Sequence, residues 1–194
     1  MKSKYFLPIL LVAFALFSCS SDDISEQDQL PPISQTGENT MGCLVNGEVF
    51  IPKDKTGFSG VGGDKPKGIT VIKGSNLPQY EYFSIALNNY EGIYIYLYIA
   101  KESPLEETYV FSDSPGVAAS LDKPDYNHSF GLIYDSKLTS YQNSGSITFT
   151  KADSENGLYA GIFNLKLKNT ENEKDIIEIT EGRFDLDLKT LNQN

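Results

Sequence analysis

The chain has 194 residues, with 16 Lys+Arg against 26 Asp+Glu, a net charge of −10 and 40% hydrophobic residues. So large an excess of acid repels phosphate backbones and anionic lipid headgroups alike, which excludes nucleic-acid binding and electrostatic docking on membranes as primary roles. The length suits one domain after a processed leader, and two cysteines, Cys19 and Cys43, permit at most one disulfide.

Residues 1–18 read as an export signal. Lys2 and Lys4 are followed by an almost unbroken apolar run from Tyr5 to Phe17. Its 13 residues fall short of the roughly 20 a membrane-spanning helix needs and match the apolar stretch of a signal peptide. Leu16-Phe17-Ser18-Cys19 resembles a lipobox, in which the cysteine is acylated and becomes the first mature residue. Cys19 is therefore the expected lipidation site, and the attached acyl chains are the expected membrane partner. Loss of Lys2 and Lys4 takes the bases from 16 to 14 against 26 acids, leaving a charge of −12. With Cys19 acylated, Cys43 has no intrachain partner, and its place in Cys43-Leu44-Val45 points to a buried thiol.

Residues 19–38 read as an acidic tether. Between Ser20 and Gly37 there is no aromatic residue, few aliphatics and a Pro31-Pro32 pair, a composition that does not order itself. Ser20-Ser21-Asp22-Asp23 resembles the acidic signal that sends lipoproteins of the Bacteroidota to the outer face of the outer membrane; a plain solvated linker facing the periplasm is the alternative.

Residues 39–194 read as a single all-β domain. Asn46-Gly47 between Cys43-Leu44-Val45 and Val49-Phe50 predicts a tight hairpin. Gly57 to Gly68 predicts a loop; it lacks the Gly-Lys-Ser/Thr ending and the following helix that a phosphate cradle needs. Further strands are predicted at 69–73, 80–88, 93–100, 108–112, 129–134, 145–151, 158–168, 176–180 and 183–188. Each is rich in Ile, Val, Tyr, Phe or Thr and bounded by turn residues. Val117 to Leu121 has room for one helical turn, and there is no internal repeat. Many short strands predict an antiparallel β-sandwich, with a β-barrel as the alternative.

The feature with most chemical promise is Ile93-Tyr94-Ile95-Tyr96-Leu97-Tyr98-Ile99. Alternation puts the aliphatic residues on the core face and Tyr94, Tyr96 and Tyr98 on the other. Those rings are either an exposed platform for a glycan or protein ligand, extended by Tyr80 and Tyr82, or an ordinary packed face of a central strand. Acids cluster at Asp122/Asp125, Asp153/Glu155, Glu171/Glu173/Asp175 and Asp185/Asp187, but none forms a calcium-loop pattern. Asp185 and Asp187 alternate with Phe184, Leu186 and Leu188, which predicts the solvent face of a strand. The one histidine, His128, is expected in a loop, without the partners of a zinc site or the Gly-x-Ser-x-Gly elbow of a serine hydrolase. No catalytic residue, metal site or cofactor is assigned.

Leu30-Pro31-Pro32, Thr36-Gly37, Asn39-Thr40, Gly42-Cys43, Val45-Asn46-Gly47 and Phe50-Ile51-Pro52 together resemble the start of a family of uncharacterised Bacteroidota lipoproteins, a domain of unknown function. Gly161-Ile162-Phe163 and Ile179-Thr180-Glu181-Gly182-Arg183-Phe184-Asp185 resemble its closing hairpins, while residues 53–140 match no motif. The resemblance implies location and a β fold, and carries over no catalytic residue. The expected role is a lipid-anchored envelope protein that binds a glycan or protein, with an assembly component or a carboxylate-dependent hydrolase as alternatives.

Overall fold

The computed structural model describes residues 29–56, 66–74, 81–118 and 125–191. The leader, Cys19, Tyr80, Asp122 and the predicted loop at 57–65 lie outside the described residues, as does most of the helical turn expected at Val117–Leu121. Within them the chain runs β1 (Thr40–Val45), β2 (Glu48–Phe50), β3 (Ile69–Gly74), β4 (Tyr82–Asn88), β5 (Ile93–Ile99), β6 (Thr108–Val110), β7 (His128–Ile133), β8 (Ser136–Thr139), β9 (Gly145–Asp153), β10 (Leu158–Asn169), β11 (Ile176–Asp187) and the short α1 (Leu188–Leu191). The domain is all-β, as expected. Asn46 and Gly47 take φ of 51° and 87°, the left-handed pair that turns β1 into β2. The predicted strands at 176–180 and 183–188 are one long strand, β11, kinked where Glu181 takes φ of 52° and shifts register against β10.

All strands pair antiparallel in one sheet, ordered β2-β1-β11-β10-β8-β7-β5-β4-β3. β11 takes one edge of β10 along its length, so β9 and β8 must share the other. β9 covers Leu158 to Leu165, β8 covers Lys168 and Asn169, and β6 pairs with β9. The sheet therefore divides at β10 and curls into a half-barrel whose arms enclose one core. Phe83 of β4 meets Phe149 of β9 at 5.7 Å and Tyr159 of β10 at 4.9 Å between ring centres. Ile93, Ile95, Leu97 and Ile99 all point into this core, the face that alternation predicts. Cys43 lies there too, and burial pushes its thiol up to about 12. The choice between sandwich and barrel resolves as one continuous curled sheet.

β2 and β3 end the main strand order, and β6 ends the branch through β9. The chain leaving β2 straps across the gap: the Lys53 N–H donates to Asn88 O at 3.0 Å and the Lys55 N–H to Pro66 O at 2.9 Å. Gly68 makes this approach possible, since a Cβ there would stand 2.6 Å from the Lys53 backbone.

The expected tether needs correction from Gln29 onward. Leu30 is buried, and Asp185, expected on a solvent face, is only 2% exposed. Its carboxylate accepts the backbone N–H groups of Gly37 (2.8 Å), Thr36 (3.0 Å) and Glu38 (3.4 Å) and the Ser34 hydroxyl (2.6 Å). Burial works against its charge, but these donors outweigh it and hold the carboxyl below its usual range. Composition counts apolar side chains and so misses a segment pinned by its own backbone amides. Three other resemblance residues lie along the same seam. Asn39 Oδ1 accepts the Asp187 N–H, Asn46 Oδ1 accepts the Glu178 N–H, and Gly42 leaves room for Leu30 and Pro31.

Candidate functional site

At one end of the half-barrel the turns β1–β2, β4–β5 and β7–β8 surround an open mouth of about 830 Å³. That volume is in the range of small-ligand sites, roughly 300–1,000 Å³. Val45, Phe50, Ile93 and Ile133 form its floor, continuous with the core. The rim is polar: Asn46 and Glu48 stand on one side, Asn89 and Glu91 on the other. Lys53 reaches Glu91 at 3.6 Å; both are exposed, so this pair adds little stability and yields readily to a ligand. Asn89 Oδ1 accepts the N–H groups of Glu91 (2.9 Å) and Ile93 (3.0 Å), which fixes the turn that carries the rim.

Tyr134 dominates this rim. It and Asp135 form the β7–β8 turn with φ of 47° and 68°. A bulky residue in the left-handed region costs on the order of 1 kcal/mol, and such strain collects at functional positions. The Tyr134 N–H donates to Gly92 O at 2.8 Å, and its ring lies over Gly92, where a Cβ would meet it at 3.1 Å. The side chain is nonetheless 66% exposed. The turn thus holds the Tyr134 backbone and presents its aromatic ring to solvent beside the cavity. Tyr90 on the facing turn is also left-handed (φ 58°), and its hydroxyl donates to Lys67 O at 2.9 Å.

The tyrosine strand turns out otherwise than a platform requires. Tyr98 is 1% exposed and Tyr96 is 4% exposed; only Tyr94 is half-buried. Tyr98 stacks between Tyr82 (5.6 Å) and His128 (4.6 Å), and Tyr96 packs on Phe130 at 4.9 Å. Burial pushes the Tyr96 hydroxyl up to about 12 and raises that of Tyr98. Alternation assigned the faces correctly, but the neighbouring strands bring rings of their own to the outer face and build a second apolar layer there. His128 is not a loop residue: it opens β7, 1% exposed, and burial lowers its imidazole to about 4, leaving it neutral. Its Nδ1 lies 3.1 Å from Ser114 Oγ, which accepts the Gly116 N–H.

Tyr94 and Phe130, 6.0 Å apart, line a second concavity of about 580 Å³ on the outer face, with Leu132, Lys137 and the hydroxyls of Ser114, Thr139 and Thr170. Among the described residues, no group of three or more His, Cys, Asp or Glu side chains is placed to hold a metal ion. Comparison with known families, characterised proteins and solved structures finds no match to this chain. The reading of the site therefore rests on its own geometry. Sequence reasoning missed Tyr134 because Tyr-Asp is a poor signature for a left-handed turn; the only hint was an exposed-type residue between Ile133 and the weakly alternating Ser136-Lys137-Leu138-Thr139.

Proposed function

We propose that this chain is a lipid-anchored cell-envelope protein whose barrel mouth binds a glycan without chemically altering it. Tyr134 carries the proposal: a solvent-facing ring on a hydrogen-bonded turn beside a concave site offers the flat apolar face on which a sugar ring stacks. The amides of Asn46 and Asn89, the carboxylates of Glu48 and Glu91 and the Lys53 ammonium suit the dense hydroxyls of such a ligand. Anchoring rests on the lipobox-like sequence ending at Cys19, and outward display on the acids that follow it. Nine residues lie between Cys19 and Gln29 at the cavity edge, a span of at most about 35 Å when extended, so the mouth stays that close to the lipidated residue. A ligand presented at the membrane surface fits that tether. Kinship with the Bacteroidota lipoproteins belongs to the same proposal, supported by the resemblance residues that lie along the β1–β11 seam.

A glycan array probed with the full mature protein tests this. Binding of at least one oligosaccharide class, weakened about tenfold or more in Tyr134→Ala, is the expected result; tenfold corresponds to about 1.4 kcal/mol. Absence of any glycan binding, with recovery of the protein in a stable outer-membrane complex, would favour an assembly role instead.

A further inference from the structure

We infer that the outer groove between Tyr94 and Lys137 is a second subsite of the same glycan site, and that it takes an acidic sugar unit. This rests on the glycan reading of the mouth. The two concavities are neighbours through the sheet. Ile93 and Ile133 pair across β5 and β7 and face the mouth; the next pair, Tyr94 and Leu132, faces the groove. The two lie on opposite faces of the sheet, and Tyr134, on the mouth's rim in the turn that ends β7, follows both pairs in the chain. A ligand stacked on Tyr134 therefore needs only its adjoining units to pass over the turn and enter the groove. A chain of several sugars does this, whereas a single terminal sugar does not.

The groove's chemistry names the unit. Tyr94, Phe130 and the exposed Leu132 supply apolar walls, and three hydroxyls supply donors and acceptors. Lys137 is the one charged residue among the described residues lining it. Six other lysines (Lys53, Lys67, Lys101, Lys151, Lys166 and Lys168) stand within 4 Å of an acid, and Lys137 is not among them. In a chain of net charge −10, an ammonium that lines a cavity with no acid within 4 Å among the described residues matches a carboxylate on the ligand. The wall opposite is fixed: the Ser114 N–H donates to Ser140 O, and the Ser140 hydroxyl donates to Ser112 O at 2.6 Å. The groove is thus formed before a ligand arrives.

Titration calorimetry of the full mature protein with a galactose oligomer carrying one galacturonic acid unit and the matching all-galactose oligomer decides it. The acidic oligomer should bind about five- to tenfold more tightly, and the preference should shrink as salt rises. Lys137→Gln should erase the preference, so that the acidic oligomer binds no more tightly than the neutral one, while Tyr134→Ala weakens both. If Lys137→Gln leaves the preference intact, or the neutral oligomer binds as well as the acidic one, the acidic subsite is wrong and the mouth reading survives. If neither oligomer binds and the array is blank, both fall.

Discussion

The Asp185 carboxylate accepts the Gly37 N–H at 2.8 Å across 148 positions of sequence, and through it the N-terminal segment becomes part of the domain. A buried carboxylate with several backbone donors is a strong local anchor, because charge-assisted hydrogen bonds contribute roughly twice what neutral ones do. Asp185→Asn places an amide among N–H donors and should destabilise the fold by about 3 kcal/mol. Hydrogen exchange should then show early loss of protection at Thr36 to Glu38. Unchanged protection there would mean the segment is held by Leu30 and Pro31 alone.

Stability should fall with acid in two stages. The unfolded-state imidazole of His128 titrates near 6.5, while burial holds the folded one near 4. Between those values the unfolded chain binds more protons, so stability drops as pH falls through that window, by on the order of 3 kcal/mol. Asp185 acts lower down. Its folded carboxyl is depressed, so its contribution is complete above the ordinary carboxyl range and is lost as pH falls below it. Urea melts from pH 8 to pH 3 should show both stages, and His128→Phe should remove the upper one. A melt flat between pH 6.5 and 4 would contradict the burial of this ring.

Much of this architecture was legible because a strand turns successive side chains to opposite faces, so each core face repeats at every second residue. β4, β5, β9 and β10 alternate strongly and lie within two residues of where periodicity puts them. β8 was missed because Ser136-Lys137-Leu138-Thr139 carries a single aliphatic; it is a strand because β7 and β10 offer it pairing edges. The site was less legible. Tyr94, Tyr96 and Tyr98 stood out as a pattern, yet what covers a face depends on Tyr82, His128 and Phe130 of neighbouring strands. Tyr134 had no pattern at all, since its value lies in a turn conformation.

That contrast can be measured. Tyr98→Ala removes a fully buried ring stacked on both sides and should cost about 3–5 kcal/mol. Tyr134→Ala removes an exposed ring from a strained position and should stay within about 0.5 kcal/mol of the parent. Only the second should reduce ligand affinity in a protein that melts normally. The reverse result would return the platform to the tyrosine strand.

Location has a simple test at Cys19. A single acyl chain holds a protein only marginally, whereas the several chains of a processed lipoprotein hold it firmly. Cys19→Ala should therefore move the protein from the membrane pellet to the soluble fraction after cell disruption. Retention in the pellet would mean that another feature anchors it. Protease treatment of intact cells distinguishes outward display, where the domain is cut, from a periplasm-facing domain, which is spared.

The proposal that the mouth binds without reacting is the one most exposed to contradiction. Glycoside hydrolysis needs two carboxyl groups flanking the bond, one kept protonated as the acid and one ionised. Glu48 and Glu91 both line the cavity, and Glu91 stands 3.6 Å from Lys53 in an exposed pair. Both glutamates are exposed, whereas a glycosidase encloses its acid among apolar side chains. Prolonged incubation with a bound oligosaccharide should leave its length distribution unchanged by mass spectrometry. Shortened products that vanish in Glu48→Gln or Glu91→Gln would make the cavity an active site, with Tyr134 positioning the sugar beside the bond that is cut.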